Sequence, residues 1–291
     1  MKKSLIAQLV IWLIVIALLG GVLVAGIALH SAGDGWFPFS WSFRHSDETL
    51  LTPDSEDAST YLVDPAGLHG LDISWAAGSV ELRLTDGSEI RISEPGGLAE
   101  RKRLRCYVED GTLQIDFCQS QWLWGNVRGK SLLVELPEEF VQNLQEISLD
   151  LASAELQAQG LQAQKLDVDS ASGAIRLEDC RLEELSVDVA SGDLTYTGQI
   201  TGTLELDSAS GDAELTLESV PQRIDTDTAS GDVTVRLPAD ASFGGTFDSL
   251  SGKLKCEFAM IGSQDSFQCG QGSSRFQFDS ASGDVEILPN A

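Results

Sequence analysis

From about residue 146 onward the chain alternates apolar and polar positions in short runs, and successive runs turn through the same few residues. LDVDSASGAIRL, LSVDVASGDLTY, LELDSASGDAELTL, IDTDTASGDVTVRL, GTFDSLSGKLKCEF and FQFDSASGDVEI share this form. Leu166 and Val168 precede one corner and Ile175 and Leu177 follow it; Ile224 precedes another, and Val233, Val235 and Leu237 follow. A period of two marks a strand with one buried face, so each unit predicts two short strands joined by a tight corner. The motif DSASGD, intact or degraded, begins at Asp150, Asp169, Asp188, Asp207, Asp227, Asp248 and Asp279. Its central column, Ala154, Gly173, Gly192, Gly211, Gly231, Gly252 and Gly283, recurs after 19, 19, 19, 20, 21 and 31 residues by difference of residue numbers. One unit has too little apolar surface to fold alone, so the units must stack. The pattern predicts an all-β fold, a right-handed parallel β-solenoid (a single-stranded β-helix) with coils of about 19–21 residues. It spans residues 146–291, with an insertion at 256–275 before the last repeat.

The corner residues have local reasons of their own. Glycine supplies a positive φ or room for the next coil, and Ala154 shows that the first copy accepts a methyl group. The aspartate that opens each motif predicts an Asx-turn, its carboxylate folded back onto corner N–H groups. The alternative is a cation site: a second column, Asp193, Asp212, Asp232 and Asp284, runs beside the first, and paired acidic columns could hold Ca²⁺.

Residues 61–145 alternate as well, in LDISWAAGSVELRL, SEIRIS, LRCYVEDGTLQIDF and KSLLVEL, and predict an N-terminal β region or cap. Asp110 and Gly111 are a two-residue hairpin turn that pairs Cys106 with Ile115 and places Cys118 on the opposite face. The basic run ERKRLRC, residues 100–106, reads as a solvated loop between strands. At the other end, FQFDSASGDVEI is expected to finish the stack with a bare edge. The insertion would fold over it as a disulfide-closed hairpin turning at Gly262 and Ser263, with Phe258 facing Phe267 and Cys256 facing Cys269. Otherwise that edge would stay open for a second copy or a partner strand.

The first thirty residues change the picture from a soluble repeat protein to an anchored one. Residues 5–29 carry no charge and are long enough to cross a bilayer as one helix. Lys2 and Lys3 precede them, so a cytoplasmic stub (1–4) and an exterior remainder are expected, the alternative being a signal peptide cut after the small residues Gly26 and Ala28. GWFPFSWSF follows, with Trp36, Phe37, Phe39, Trp41 and Phe43 suited to the membrane–water boundary, and residues 44–60 read as an acidic tether. The aromatic segment and tether together make up residues 30–60. The predicted address is the cytoplasmic membrane, single-pass, with the ectodomain outside.

The formal charge of −26 removes nucleic acid from the candidate partners. His30, His45 and His69 all precede the repeats, and no HExxH, GxSxG, phosphate loop or paired-cysteine metal spacing occurs. No catalytic, cofactor-binding or metal residue is therefore assigned, no cofactor is expected, and the chain does not read as an enzyme.

The SASGD repeats, the apolar N-terminal segment and the stretch KSLLVELPEEFVQNLQEISLDLASAEL resemble the bacterial "putative adhesin" family of β-strand-repeat proteins, a domain of unknown function. The resemblance covers roughly residues 60 to 291 and implies a β-solenoid exposed at the cell envelope. The chain departs from the family pattern with WAAGSVEL (Trp75 to Leu82) where a first repeat would stand. The expectation is a non-enzymatic, surface-binding, adhesin-like scaffold that meets an envelope glycan, a peptide or a membrane-protein partner. The alternative is a regulatory envelope-stress component that senses cationic agents or wall damage through a membrane partner, since four cytoplasmic residues cannot signal alone. Oligomeric state is open.

Overall fold

A computed structural model describes residues 50–55, 57, 59–118 and 129–290; the expected membrane helix, the aromatic segment and the first part of the tether lie outside them. Among the described residues no helix is long and apolar enough to cross a membrane. The repeats form the middle of the molecule: β7 (Glu146–Gln159), β8 (Gln162–Ser170), β9 (Ile175–Val189), β10 (Leu194–Ser208), β11 (Ala213–Leu217), β12 (Arg223–Ser230) and β13 (Val233–Leu237). All pair in parallel and stay in register through the corners, while β9 and β10 shift register between Tyr196 and Gly198 and between Ile200 and Thr203. Asp150 lies beside Asp169, Asp169 beside Asp188, Asp188 beside Asp207, and Asp207 beside Asp227. The apolar positions point inward as ladders: Leu166, Leu185, Leu204 and Ile224 form one and Ile175, Leu194, Ala213 and Val233 another, all buried. Each fully buried aliphatic side chain of this kind contributes about 1.5–3 kcal/mol.

Close stacking of the corners accounts for the glycine column. Gly211 has φ +127°, and a Cβ there would lie 2.1 Å from the carbonyl oxygen of Gly192 in the coil below. WAAGSVEL obeys the same geometry. Gly78 is in register with Ala154, and Ser74 stands in the aspartate position beside Asp150. The departure in sequence is thus no departure in structure: β2 (Gly70–Thr85) runs through an ordinary corner of the parallel stack.

The N-terminal end is closed by antiparallel strands. The chain begins with β1 (Thr60–Val63), makes the β2 coil, and continues through β3 (Ile90–Ser93), β4 (Arg105–Glu109), β5 (Thr112–Asp116) and β6 (Lys130–Pro137). β5 and β6 form a further coil on the far side of β2, while β7 returns to its near side. β3 then pairs antiparallel with β6, β1 with β3, and β4 with β5, where Cys106 meets Ile115 as the hairpin turn predicts. Residues 50–55 lie against this cap; Leu51 donates its N–H to the Cys106 carbonyl (2.8 Å). Glu100–Lys102 is one exposed 3₁₀ turn.

The C-terminal end overturns an expectation. β14 (Phe243–Ser249) and β15 (Leu254–Cys256) form a coil, β16 (Met260–Ser263) and β17 (Ser266–Cys269) a hairpin, and β18 (Ser274–Ser282) and β19 (Val285–Pro289) the last repeat. That last repeat does not finish the stack. Asp279 lies between Asp227 and Asp248, and Val285 between Val233 and Leu254, so β18–β19 sits inside and β14–β15 is outermost. The physical reason is one of reach. Coils are about 4.8 Å apart, less than two extended residues, so a chain can skip a slot with no mark on its repeat spacing.

The insertion is a cap, but over the β14–β15 coil: β17 pairs antiparallel with β14, Phe243 opposite Cys269. Its register also differs from the expected one. Ser263 pairs with Ser266 and Met260 with Cys269, so the turn is Gln264 and Asp265. Gly262 is a strand residue, where a Cβ would lie 2.3 Å from the Ser266 carbonyl oxygen.

Candidate functional site

Two surface features are built by the stack. The first is the aspartate column. Alternation along the strands turns Asp150, Asp169, Asp188, Asp207, Asp227 and Asp279 outward, opposite to buried Val168, Val187 and Leu206. The expected Asx-turns are absent from this column. It is the second column that binds backbone, and it does so between coils: Asp212 N–H donates to Asp193 Oδ1 (3.0 Å), Asp232 N–H to Asp212 Oδ1 (2.9 Å), Asp284 N–H to Asp232 Oδ1 (2.8 Å) and Lys253 N–H to Asp284 Oδ1 (2.8 Å). A carboxylate after the corner glycine reaches the next coil's N–H, whereas one before it projects from the strand face.

The first column is left with like charges stacked at the coil repeat. Desolvation first, then repulsion from the neighbouring carboxylate, pushes Asp169, Asp188 and Asp227 up to about 6 and raises Asp150, Asp207 and Asp279. Two residues upstream the charges are better matched, with Lys165 on Asp167 (2.7 Å) and Arg223 on Asp225. Among the described residues, no group of three or more His, Cys, Asp or Glu side chains is arranged to hold a metal ion.

The second feature is a recess of about 510 Å³ on a different side of the coils. α1 (Glu138–Val141) ends β6, and the turn after it, Gln142 to Gln145, overhangs the start of the stack. Beneath it Gln162, Arg181 and Gln199 lie in register on three successive coils. Leu144 and Leu182, both buried, form an apolar floor. The walls are amides, Asn143, Gln145, Gln162 and Gln199, with Arg181 and Glu183 as the charged residues. On a chain of charge −26 this patch is balanced. Amides both donate and accept hydrogen bonds, so the recess suits a neutral ligand rich in hydroxyl or amide groups. Sequence reasoning missed it; the glutamine-rich run LQAQGLQAQ, residues 156–164, was its one visible trace.

The Toastrack DUF4097 family model matches residues 69–288. Similar solved structures include a "putative cell adhesion protein" of Clostridium sporogenes, 14% identical, covering 79% of this chain and 98% of that one with a TM-score of 0.40. A "putative adhesin" of Bacteroides fragilis is 15% identical, with 79% and 96% covered and a TM-score of 0.43. A "putative lipid binding protein" of Parabacteroides distasonis is 15% identical, with 79% and 96% covered and a TM-score of 0.45. No curated protein matches the chain.

Proposed function

We propose, from the premise that this chain belongs to the Toastrack DUF4097 family, that it is a non-enzymatic binding scaffold displayed at the bacterial envelope, engaging a neutral envelope glycan. The amide-walled recess carries the reading. Its Gln162, Arg181 and Gln199 column offers donors and acceptors at the coil repeat, and Leu144 and Leu182 offer an apolar floor for the C–H face of a sugar ring. Its volume is within the range of small-ligand sites.

Binding of neutral cell-wall oligosaccharides to the detergent-solubilised chain, measured by calorimetry, is expected to weaken at least tenfold in Gln162→Ala/Gln199→Ala and to persist in Asp188→Asn. Binding that ignores the glutamines, or none at all, ends the glycan reading. Display is the part supported by Lys2, Lys3 and the uncharged run 5–29. Protease added to wall-stripped cells should remove the chain beyond about Trp41 and leave the anchor, whereas a soluble ectodomain starting near residues 27–29 in the medium would replace anchoring by cleavage.

The aspartate column favours a second reading, the envelope sensor of cationic agents that signals through a membrane partner. Cationic peptides would bind along the column with an affinity that falls with salt, and Asp188→Asn/Asp207→Asn would weaken them while leaving glycan binding intact.

A further inference from the structure

Cys256 and Cys269 come from different strands and meet with their sulfurs 3.9 Å apart. Both are thiols. Cys256 lies on the outermost coil, in the inward column that other coils fill with buried Leu177, Tyr196, Leu215, Val235 and Ile287. Its neighbour on one side is Ile287; on the other, the cap hairpin covers it with Cys269. The two thiols thus join the last coil to the element that closes it. That element is otherwise held by buried Phe267 against Phe243 and by few strand pairs. β17 pairs with β14 over three residues, and β16 is exposed along its whole length.

Two of the other three cysteines, Cys106 and Cys180, contrast with this pair, while Cys118 is part-exposed. Cys106 is buried opposite Ile115, and Cys180 is buried with its Sγ 3.4 Å from the Glu178 carbonyl oxygen. Cys256 is part-exposed, so an external reagent can reach it, whereas Cys269 is buried against it.

We propose that Cys256 and Cys269 form a modification site: a dithiol that a disulfide-bearing oxidant converts to an intramolecular disulfide, fastening the cap hairpin to the terminal coil. The Cys256 thiolate attacks one sulfur of the oxidant R–S–S–R, an S–S bond forms, and RS⁻ leaves. Cys269 then loses its proton and attacks Cys256 Sγ, releasing the second RS⁻. The protein loses two electrons and two protons, and the oxidant is recovered as two molecules of R–SH. Burial first, and the neighbouring Cys256 second, push the Cys269 thiol up to about 12, and the second contribution ends once Cys256 is in the mixed disulfide.

The test uses the full chain in detergent with oxidised glutathione, followed by alkylation of remaining thiols and peptide mass mapping. A Cys256–Cys269 linked peptide is expected, with Cys106 and Cys180 alkylated on denaturation, and proteolysis at the Gln264–Asp265 turn slowed at least tenfold relative to the reduced chain. Cys269→Ser should accumulate a glutathione adduct on Cys256, and Cys256→Ser should take up none at Cys269. A stable adduct on the wild-type chain without a bridge overturns the proposal. So does a bridge between other cysteines, or a 256–269 bridge that leaves cap proteolysis unchanged. The wild-type comparison decides even if a serine variant folds poorly.

Discussion

Asp188 stands in the middle of a column of like charges, and its proton affinity is a statement about stability. Its ordinary value is 3.8 and its folded value about 6, as for Asp169 and Asp227. Between those values the folded chain holds protons that the unfolded chain has released, so stability falls as pH rises. The contribution is fully present below about pH 4 and is lost as pH passes 6. The melting temperature should therefore rise when pH is lowered from 7.5 to 5, by a scan in matched ionic strength. Asp188→Asn removes the repulsion with both neighbours and should stabilise the chain at pH 7.5 by about 0.2–1 kcal/mol while flattening the pH dependence; a loss of stability at pH 7.5 would show that the ionised column is favourable. The buried Lys130 in the N-terminal cap behaves oppositely. Its Nζ donates to Glu94 and to the Lys102 carbonyl (3.0 Å), and lies 4.9 and 4.8 Å from the Trp75 and Phe117 ring centres. Burial lowers the Lys130 pKa while Glu94 opposes the shift. Lys130→Met leaves Glu94 buried without its partner and should cost about 3–5 kcal/mol in urea unfolding, with much of the loss recovered in Lys130→Met/Glu94→Leu.

At the scale of the element, the corner is the specified unit. Strand alternation decides which side chains enter the core, and the glycine decides how closely one coil approaches the next. Gly211→Ala would force a methyl-bearing residue into φ +127° and place Cβ 2.1 Å from a backbone oxygen that cannot move alone. The strain by itself is about 1–3 kcal/mol, so the variant should unfold at visibly lower urea. Ala154 is free of this penalty because its φ is not positive. Much of this was legible in sequence: period two, SASGD and the near-constant spacing led directly to parallel strands in register. What did not show was which neighbour each acid reaches. Asp207 and Asp212 look equivalent as letters on either side of Gly211, and only the rise of the coil gives Asp212 a backbone N–H and Asp207 another carboxylate. The recess escaped notice for a similar reason, since Gln162, Arg181 and Gln199 become neighbours only after stacking.

At the scale of the molecule, both ends follow one plan: a coil displaced from chain order and an antiparallel cap on its outer edge, over β5 and β6 at one end and over the start of β14 at the other. Neither displacement has a letter code, because skipping one slot needs under two residues of chain. The Cys256 and Cys269 contact was anticipated from a hairpin register that is wrong; the sulfurs meet because Cys256 belongs to β15 and not to the hairpin. Removing residues 274–291 would take an interior coil from the stack and leave β14–β17 with nothing to lie on. Limited proteolysis of that truncated chain should cut throughout residues 238–273 and leave the coils up to Leu237 protected; an intact 238–273 segment would mean that the outer coil can drop into the empty slot. The interleaving also bears on birth order. Chains are made from the N-terminus, and coils can add to the stack one after another as they emerge. The outer coil and its cap are synthesised before the segment that attaches them, so they must wait, unattached, until β18 and β19 arrive and slide between. Synthesis halted anywhere before residue 274 leaves the outer coil without its seat, and β18–β19 act as the keystone that joins it to the stack.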